Sequence, residues 1–328
     1  MKQTKSSGCH ETFLTPPKIK LKEPTDLLSV IPLMLGFEPR ESLVIIALEN
    51  YRVAVTIRID IEAIEEELSQ GFSLKERYPR ADFFIAAYSV DLGLASHAAE
   101  QAEEFVEDGV LASVVTNGHS YWNRQEDEPV RRPVPQPSLR AQAEFAGAGL
   151  SVLRDRQELV SLVQPAQGEL AEENMLIMSE LVEEITSMTE KEAVDKFKEL
   201  TDRADSTRDL LKMGMLATRY WTLIYSLSRI SKRQAGGECE MWQRVCRQMP
   251  QQYALPAVAL AAICAWASGN GSLQSICLEI GSQINPDSVL LQIPISANQT
   301  LQPPSEWEKM RQIFLTEYLN WLEYAGDA

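Results

Sequence analysis

Apolar and polar positions alternate most clearly in the first part of the chain. Residues 42–48 and 52–59 are rich in valine and isoleucine, and the odd-numbered positions of the second segment are apolar. Asn50 lies between the two segments and suits the positive φ of a tight turn. The pattern predicts two strands joined as a hairpin.

An apolar helix is predicted before this hairpin. Residues 24–35 are apolar almost all round a helix, so we expect the helix to be buried. Pro24 suits its first turn, Pro32 predicts a kink, and Gly36 suits the C-terminal cap.

Strands and helices continue to alternate as far as residue 122. Asn117-Gly118 is a strong hairpin signal and predicts a strand that returns near residues 120–122. The other elements expected here are strands at 19–21, 82–90 and 110–116 and helices at 61–69 and 94–107. This order predicts an α/β fold, a mixed sheet that contains hairpins and is covered by helices.

The character of the chain changes after residue 130. Residues 131–137 contain three prolines and predict a surface loop, and two short helices are expected at 139–148 and 154–163. Residues 164–168 are the best candidate for a domain boundary. We therefore expect a disordered tail at 1–18, an α/β domain at 19–166 and a helical domain at 167–328.

The second part of the chain has the period of helices throughout. Helices are predicted at 169–188 and 210–229, with capping boxes that begin at Thr189 and Ser206. Further helices are expected to start near residues 241, 253, 272, 288 and 305. Residues 255–286 form a helix, turn and helix that resembles one tetratricopeptide unit, although a generic antiparallel helix pair is an open alternative.

The net charge limits the classes of partner. The chain has 328 residues and a formal net charge of -16 at pH 7, which disfavours nonspecific binding to nucleic-acid phosphates or anionic lipid. Five cysteines without CxxC spacing favour buried free thiols in a reducing compartment. No apolar run is long enough for a membrane span, so a cytoplasmic protein is expected.

Few residues suggest chemistry. The sequence has no phosphate-binding glycine loop and no nucleophile elbow, and we expect no metal and no cofactor. Arg58 and Asp60 are open between an ion pair and a site. The candidates for a ligand site in the α/β part are Glu38, Arg40, Ser42, His119 and Arg124. The candidates for a partner groove in the helical part are Trp266 and Trp307.

Several short motifs occur in the order typical of one family. They are Thr25-Asp26-Leu27-Leu28, Leu35-Gly36-Phe37-Glu38-Pro39, Ser42-Leu43-Val44, Arg58-Ile59-Asp60, Gly149-Leu150 with Arg156 and Leu159, Ala265-Trp266, Gly269-Asn270-Gly271 and Asn285-Pro286. Over residues 19–307 the chain resembles an actinobacterial family, domain of unknown function 4192. The resemblance implies a cytoplasmic protein of actinobacterial or actinophage origin and assigns no catalytic residue.

Two functions remain open on the sequence. The first is a non-enzymatic protein-interaction or regulatory protein whose helical part offers a groove to a protein partner. The alternative is a small-molecule-binding or enzymatic α/β domain with an unrecognised site, which would lie where a helix-to-strand turn meets the sheet. A third class, nucleic-acid binding, is disfavoured by the charge.

Overall fold

The computed structural model describes residues 23–50, 52–69, 74–147 and 152–325. The expected tail at 1–18, the expected strand at 19–21 and the motif residues Gly149 and Leu150 lie outside these described residues.

One mixed sheet forms the first half of the fold. Its strands are β1 (Ser42–Glu49), β2 (Arg52–Asp60), β3 (Asp82–Tyr88), β4 (Val110–Thr116), β5 (Ser120–Asn123) and β6 (Arg132–Pro133). Their order across the sheet is β2-β1-β3-β4-β5-β6. Only β3 and β4 pair in parallel, and the other neighbours are antiparallel.

Both predicted hairpins are confirmed. Asn50 adopts a φ of 51° between β1 and β2, as its place in the turn predicts. At the second turn Gly118 has a φ of 86°, and the Asn117 carboxamide accepts hydrogen bonds from the backbone N–H groups of His119 and Ser120.

Short helices accompany the sheet. A 3-10 helix (Pro24–Ser29) leads into α1, so the single apolar helix expected at 24–35 is in fact two short ones. Gly36 caps α1 in the left-handed conformation, as predicted. The helices of this half are α1 (Ile31–Leu35), α2 (Ile64–Ser69), α3 (Leu74–Arg77), α4 (Leu92–Val106), α5 (Leu139–Gly147) and α6 (Arg156–Ser161).

The second half is a run of helices. They are α7 (Gly168–Ser187), α8 (Glu190–Arg203), α9 (Thr207–Leu216), α10 (Tyr220–Arg229), α11 (Ala235–Gln248), α12 (Leu255–Ser268), α13 (Gly271–Ile284), α14 (Val289–Gln299) and α15 (Ser305–Ala325). Thr189 and Glu192 form the predicted capping box of α8.

The long helix expected at 210–229 is wrong, because the chain breaks between α9 and α10. Arg219 has an extended backbone at this break. Its guanidinium donates to the carbonyl oxygens of Ile185 and Met188, both at 2.9 Å, and pairs with Glu190. No glycine or proline marks the break, so the local pattern did not predict it.

Each face of the sheet is buried against a different layer. One face packs on α4 through the odd-numbered residues of β1 and β3, which include Leu43, Ile45 and Phe83. The other face, with even-numbered residues such as Val44 and Phe84, packs on the 3-10 helix Pro24–Ser29, which contacts β3 and β4. The second cluster runs without interruption into α7 to α15. The division at residue 166 stays a prediction.

The pair α12 and α13 shows how the helices are held. Gly269 ends α12 in the left-handed conformation, as the turn signal indicated. Gln274 is buried, and its side-chain amide donates to the Pro294 carbonyl of α14 at 3.0 Å. A Cβ added at Gly281 would lie 2.9 Å from both Cδ atoms of Leu291 on α14. Gly281 thus allows α14 to pack closely against α13. The likeness to a tetratricopeptide repeat stays a prediction.

No helix in the described part of the chain combines the length and apolarity needed to cross a membrane.

The substitution Gly281→Ala tests the packing of α13 against α14. Because Leu291 is fully buried and has little room to move, we expect the substitution to lower the free energy of unfolding by about 1–3 kcal/mol. Gly237→Ala on α11 is the matched control, since nothing lies within 4 Å of its new Cβ. The control should raise stability by about 0.5–1 kcal/mol. Equal urea midpoints for wild type and Gly281→Ala would contradict the close contact.

Candidate functional site

A row of polar side chains crosses one end of the sheet. Register pairs connect one residue of each strand to the next, so the six side chains lie side by side on one face. Its members, in strand order across the sheet, are Asp60, Ser42, Tyr88, Thr116, Tyr121 and Arg132. We call this set the polar row.

The polar row lies where the parallel strands β3 and β4 end. Tyr88 and Thr116 are the last residues of these strands. Ligands of open α/β sheets are typically bound beyond the carboxyl ends of the strands. The face is the one covered by the 3-10 helix Pro24–Ser29, since Ala86 and Val114 belong to the same core as Leu27 and Leu28.

The first two members of the polar row are held by Arg58. Its Nε donates to Ser42 Oγ at 2.9 Å, and its guanidinium pairs with the Asp60 carboxylate. Ser42 Oγ in turn donates to the Arg40 carbonyl at 2.6 Å. The choice left open by the sequence for Arg58 and Asp60 is therefore an ion pair in the structure.

Glu41 ties the start of β1 to the end of β3. Its carboxylate accepts from Ser89 Oγ at 2.7 Å and from the Val90 N–H at 3.2 Å. Glu41 has a φ of 41°, a conformation that non-glycine residues seldom adopt and that recurs at functional sites. Sequence reasoning missed Glu41, because its role depends on a contact 48 residues away along the chain.

Tyr88 is the unsatisfied member of the polar row. Its side chain is buried, and its hydroxyl finds no hydrogen-bond partner among the described residues. Burial raises the pKa of the Tyr88 phenol, and the nearby Glu38 carboxylate raises it further, so the phenol stays protonated at neutral pH. Tyr88 was also missed, because it stands within an apolar strand segment that the pattern marks as core.

The hydroxyl of Thr116, the next member, is hydrogen-bonded to the β4–β5 turn. Thr116 Oγ1 donates to the Ser120 carbonyl at 2.9 Å and accepts from the Gly118 N–H at 3.0 Å. Ser42 and Thr116 therefore flank Tyr88 with hydroxyls that already have their partners.

Four of the five sequence-predicted ligand residues lie at this end of the sheet. Glu38, Arg40 and Ser42 precede or begin β1, and His119 follows the β4–β5 turn. Glu38, Arg40 and His119 are exposed, whereas Ser42 is fully buried. Neighbouring strands of a sheet are about 5 Å apart. These residues therefore lie along one edge of the sheet.

Arg124, the fifth candidate, lies elsewhere. Its Nε donates to Glu103 at 3.0 Å and a terminal nitrogen contacts Ser96, both on α4. Arg124 thus fixes α4 to the opposite face of the sheet and is not part of the polar row.

Trp266 and Trp307 are core residues in this structure. They are only 3% and 1% exposed. The Trp266 indole N–H donates to the Gln302 carbonyl at 2.9 Å, and that of Trp307 donates to the Ile230 carbonyl at 2.6 Å. Neither indole faces solvent, so neither forms the wall of an open groove.

The helical half does contain an aromatic groove, but Trp266 and Trp307 are not part of it. We use the name aromatic groove for Val194 of α8 and Trp221, Ile224 and Tyr225 of α10. The terminal helix α15 fills it with Phe314, Tyr318, Trp321 and Leu322. The Trp221 and Trp321 rings stack with centroids 4.8 Å apart and planes at 13°.

Polar contacts fix the direction of α15 in the aromatic groove. Trp307 and Arg311 donate to the carbonyls of Ile230 and Ser228, at the C-terminal end of α10. A cation there is favourable because the last carbonyls of a helix lack intrahelical partners. Lys198 of α8 lies over the Tyr318 ring, 5.6 Å from its centroid.

The four cysteines of the helical half are buried free thiols. Cys239, Cys246, Cys264 and Cys277 are free and buried, as the sequence predicted. Burial raises the pKa of Cys239 to about 11 and raises the pKa of the other three thiols as well. Within the described ranges no group of three or more potential metal ligands comes together.

Tyr88→Phe tests whether the phenol is unsatisfied. Removing a buried hydroxyl without a partner should leave the free energy of unfolding unchanged or raise it by up to about 1 kcal/mol. Thr116→Val, which removes a satisfied hydroxyl from the neighbouring strand, should lower it by about 1 kcal/mol. Urea unfolding measures both. A Tyr88→Phe loss as large as that of Thr116→Val would mean that the phenol has a partner.

The docking of α15 on the rest of the chain should become less stable at acidic pH. Hydrogen bonding from Arg311 lowers the pKa of Glu308, so the folded value lies below the unfolded one. Such a group stabilises the fold above its unfolded pKa, and that stabilisation is lost as the pH falls through the folded pKa. We expect hydrogen-exchange protection of α15, corrected for intrinsic rates, to fall between about pH 5 and pH 3. Glu308→Gln should flatten part of this fall, and an unchanged profile would count against the contribution of the pair.

Comparisons with known proteins identify the family alone. Comparison with curated proteins and with solved structures gave no match. A family model described as "Domain of unknown function (DUF4192)" matches residues 24–305, which is most of the chain. The match contains the polar row and the aromatic groove and ends at Ser305, where α15 begins. The chain therefore belongs to the DUF4192 family.

Proposed function

We propose that this chain is a protein-interaction or regulatory protein whose helical half binds an amphipathic helix in the aromatic groove. One observation carries the proposal: the groove already holds such a helix, α15, in the same chain. An amphipathic helix laid into an apolar groove is a recurrent mode of protein recognition.

The limits of the family match support a separable α15. The aromatic groove lies within residues 24–305, whereas α15 starts at the last matched residue. The residues of the groove thus lie within the family match, whereas the helix that covers them lies almost wholly outside it. A cis helix in this position competes with any partner helix for the same surface.

The packing of α15 supports an exchangeable contact. Val194, Ile224 and Tyr318 are the buried centre of a small cluster that is separate from the two large cores. Displacing the part of α15 that carries Tyr318 and Trp321 would expose this small cluster, whereas Trp307 at the start of α15 belongs to the large core.

The contacts of α15 define the partner that fits. The partner helix should present aromatic or leucine side chains at the spacing of Phe314, Tyr318 and Trp321. It should carry an arginine near its start, to reach the carbonyls at the end of α10, as Arg311 does. An acidic residue at the position of Glu317 would accept from the Tyr220 hydroxyl.

A peptide exchange experiment tests the proposal with the full chain. The double substitution Tyr318→Ala and Trp321→Ala weakens the hold of α15 and opens the aromatic groove. A fluorescein-labelled peptide of residues 305–325 should then bind this variant at least about tenfold more tightly than it binds wild type, because the cis competitor is weakened. Fluorescence anisotropy measures both affinities.

Two matched controls make the result specific. The same peptide with Tyr318 and Trp321 changed to alanine should not bind the variant. The substitution Ile313→Ala, on the exposed side of α15, should leave the chain like wild type, since Ile313 is 67% exposed. If the double variant keeps its far-UV circular dichroism but does not bind the peptide, the aromatic groove is not a helix-binding surface.

A further inference from the structure

A second site lies at the polar row, on the other half of the chain. Tyr88 places a buried hydroxyl without a partner among the described residues at the end of β3. Glu38, which precedes β1 at the same end of the sheet, has an exposed side chain, and its charge raises the pKa of the phenol. We propose that Glu38 and Tyr88 together bind a neutral small molecule through a hydroxyl or carboxamide group.

Two independent observations support a ligand at this position. The first is the location, beyond the carboxyl ends of the parallel strands β3 and β4. The second is the phenol itself, because a buried polar group without a partner calls for an explanation such as a missing ligand. Neither observation involves the aromatic groove, so the inference is independent of the proposed function.

The neighbours of Tyr88 leave its hydroxyl free for a ligand. Ser42 Oγ donates to the Arg40 carbonyl and accepts from Arg58, so its main hydrogen-bonding capacity is used. Thr116 Oγ1 likewise donates once and accepts once. Neither hydroxyl is a hydrogen-bond partner of the phenol, although each oxygen keeps one further lone pair.

The charges define the chemical class of the ligand. The protonated phenol is a donor and needs an acceptor, whereas the Glu38 carboxylate is an acceptor and needs a donor. A hydroxyl or a carboxamide supplies both in one group. An anion would be repelled by Glu38 and Glu41, and an ammonium group has no lone pair to accept the phenol proton.

Fluorine NMR of the full chain labelled with 3-fluorotyrosine tests this assignment. The Tyr88 resonance is identified by its loss in Tyr88→Phe. Four small probes are titrated: acetamide and glycerol as the two neutral classes, and acetate and methylammonium as charged matches of similar size. We expect a saturable shift of the Tyr88 resonance with acetamide or glycerol, and none with acetate or methylammonium. Binding of such small molecules should be weak.

Variants separate a site from a general solvent effect. Glu38→Ala should abolish the saturable shift, whereas Glu62→Ala, which removes an exposed carboxylate outside the polar row, should leave it unchanged. The two neutral probes distinguish an amide ligand from a polyol. The proposal is overturned if neither neutral probe gives a saturable shift, as expected if a buried water alone satisfies the phenol. It is equally overturned if acetate shifts the resonance as much, or if the shift survives Glu38→Ala.

Discussion

Burial of both faces of β1 and β3 is the constraint on which the rest of the structure depends. Side chains alternate across a strand, so every residue of these strands must find an apolar layer on one side or the other. Leu43 and Ile45 belong to the core under α4, while Val44 and Ile46 belong to the core that continues into the helical half. The 3-10 helix Pro24–Ser29 covers the second face, its core continues into the helical half, and the polar row lies at the end of the buried strands.

The connection before α15 links the α/β half to the helical half. Leu301 has a φ of 45°, which is costly for a leucine, and it is held by the Tyr78 hydroxyl of the α/β half at 2.9 Å. The next residue, Gln302, is held by the Trp266 indole of α12. A strained connection restrained from both sides sets where α15 begins and so how it enters the aromatic groove.

Part of the acidic surface is paired with cations of the same chain. Glu180 and Glu184 of α7 pair with Arg208 and Lys212 of α9, one helical turn apart on each helix. Exposed pairs of this kind add little stability each, but a repeated pair sets the alignment of two neighbouring helices. In the same way Arg229, which begins a basic cluster in the sequence, pairs with the buried Glu238 of α11.

The sequence by itself determined the local elements of this protein. The hairpin at Asn50, the turn at Gly118, the caps at Gly36 and Thr189 and the buried thiols follow from the conformational preferences of single residues and from patterns within one turn. The α/β half followed by helices came from the same local periodicities. The fold places Glu38, Arg40, Ser42 and His119 at one edge of the sheet, because the turn before β1 and the β4–β5 hairpin turn both lie at that edge.

Only the tertiary structure decided which of these residues are accessible to a ligand or a partner. Trp266 and Trp307 became core, Arg124 became a clamp on α4, and the helix expected at 210–229 broke at Arg219, since each depends on a partner far away in the chain. The unsatisfied Tyr88 phenol and the aromatic groove under α15 arise from strand register and helix packing. A local pattern carries no information on such long-range contacts, because register and packing are set by the fold as a whole.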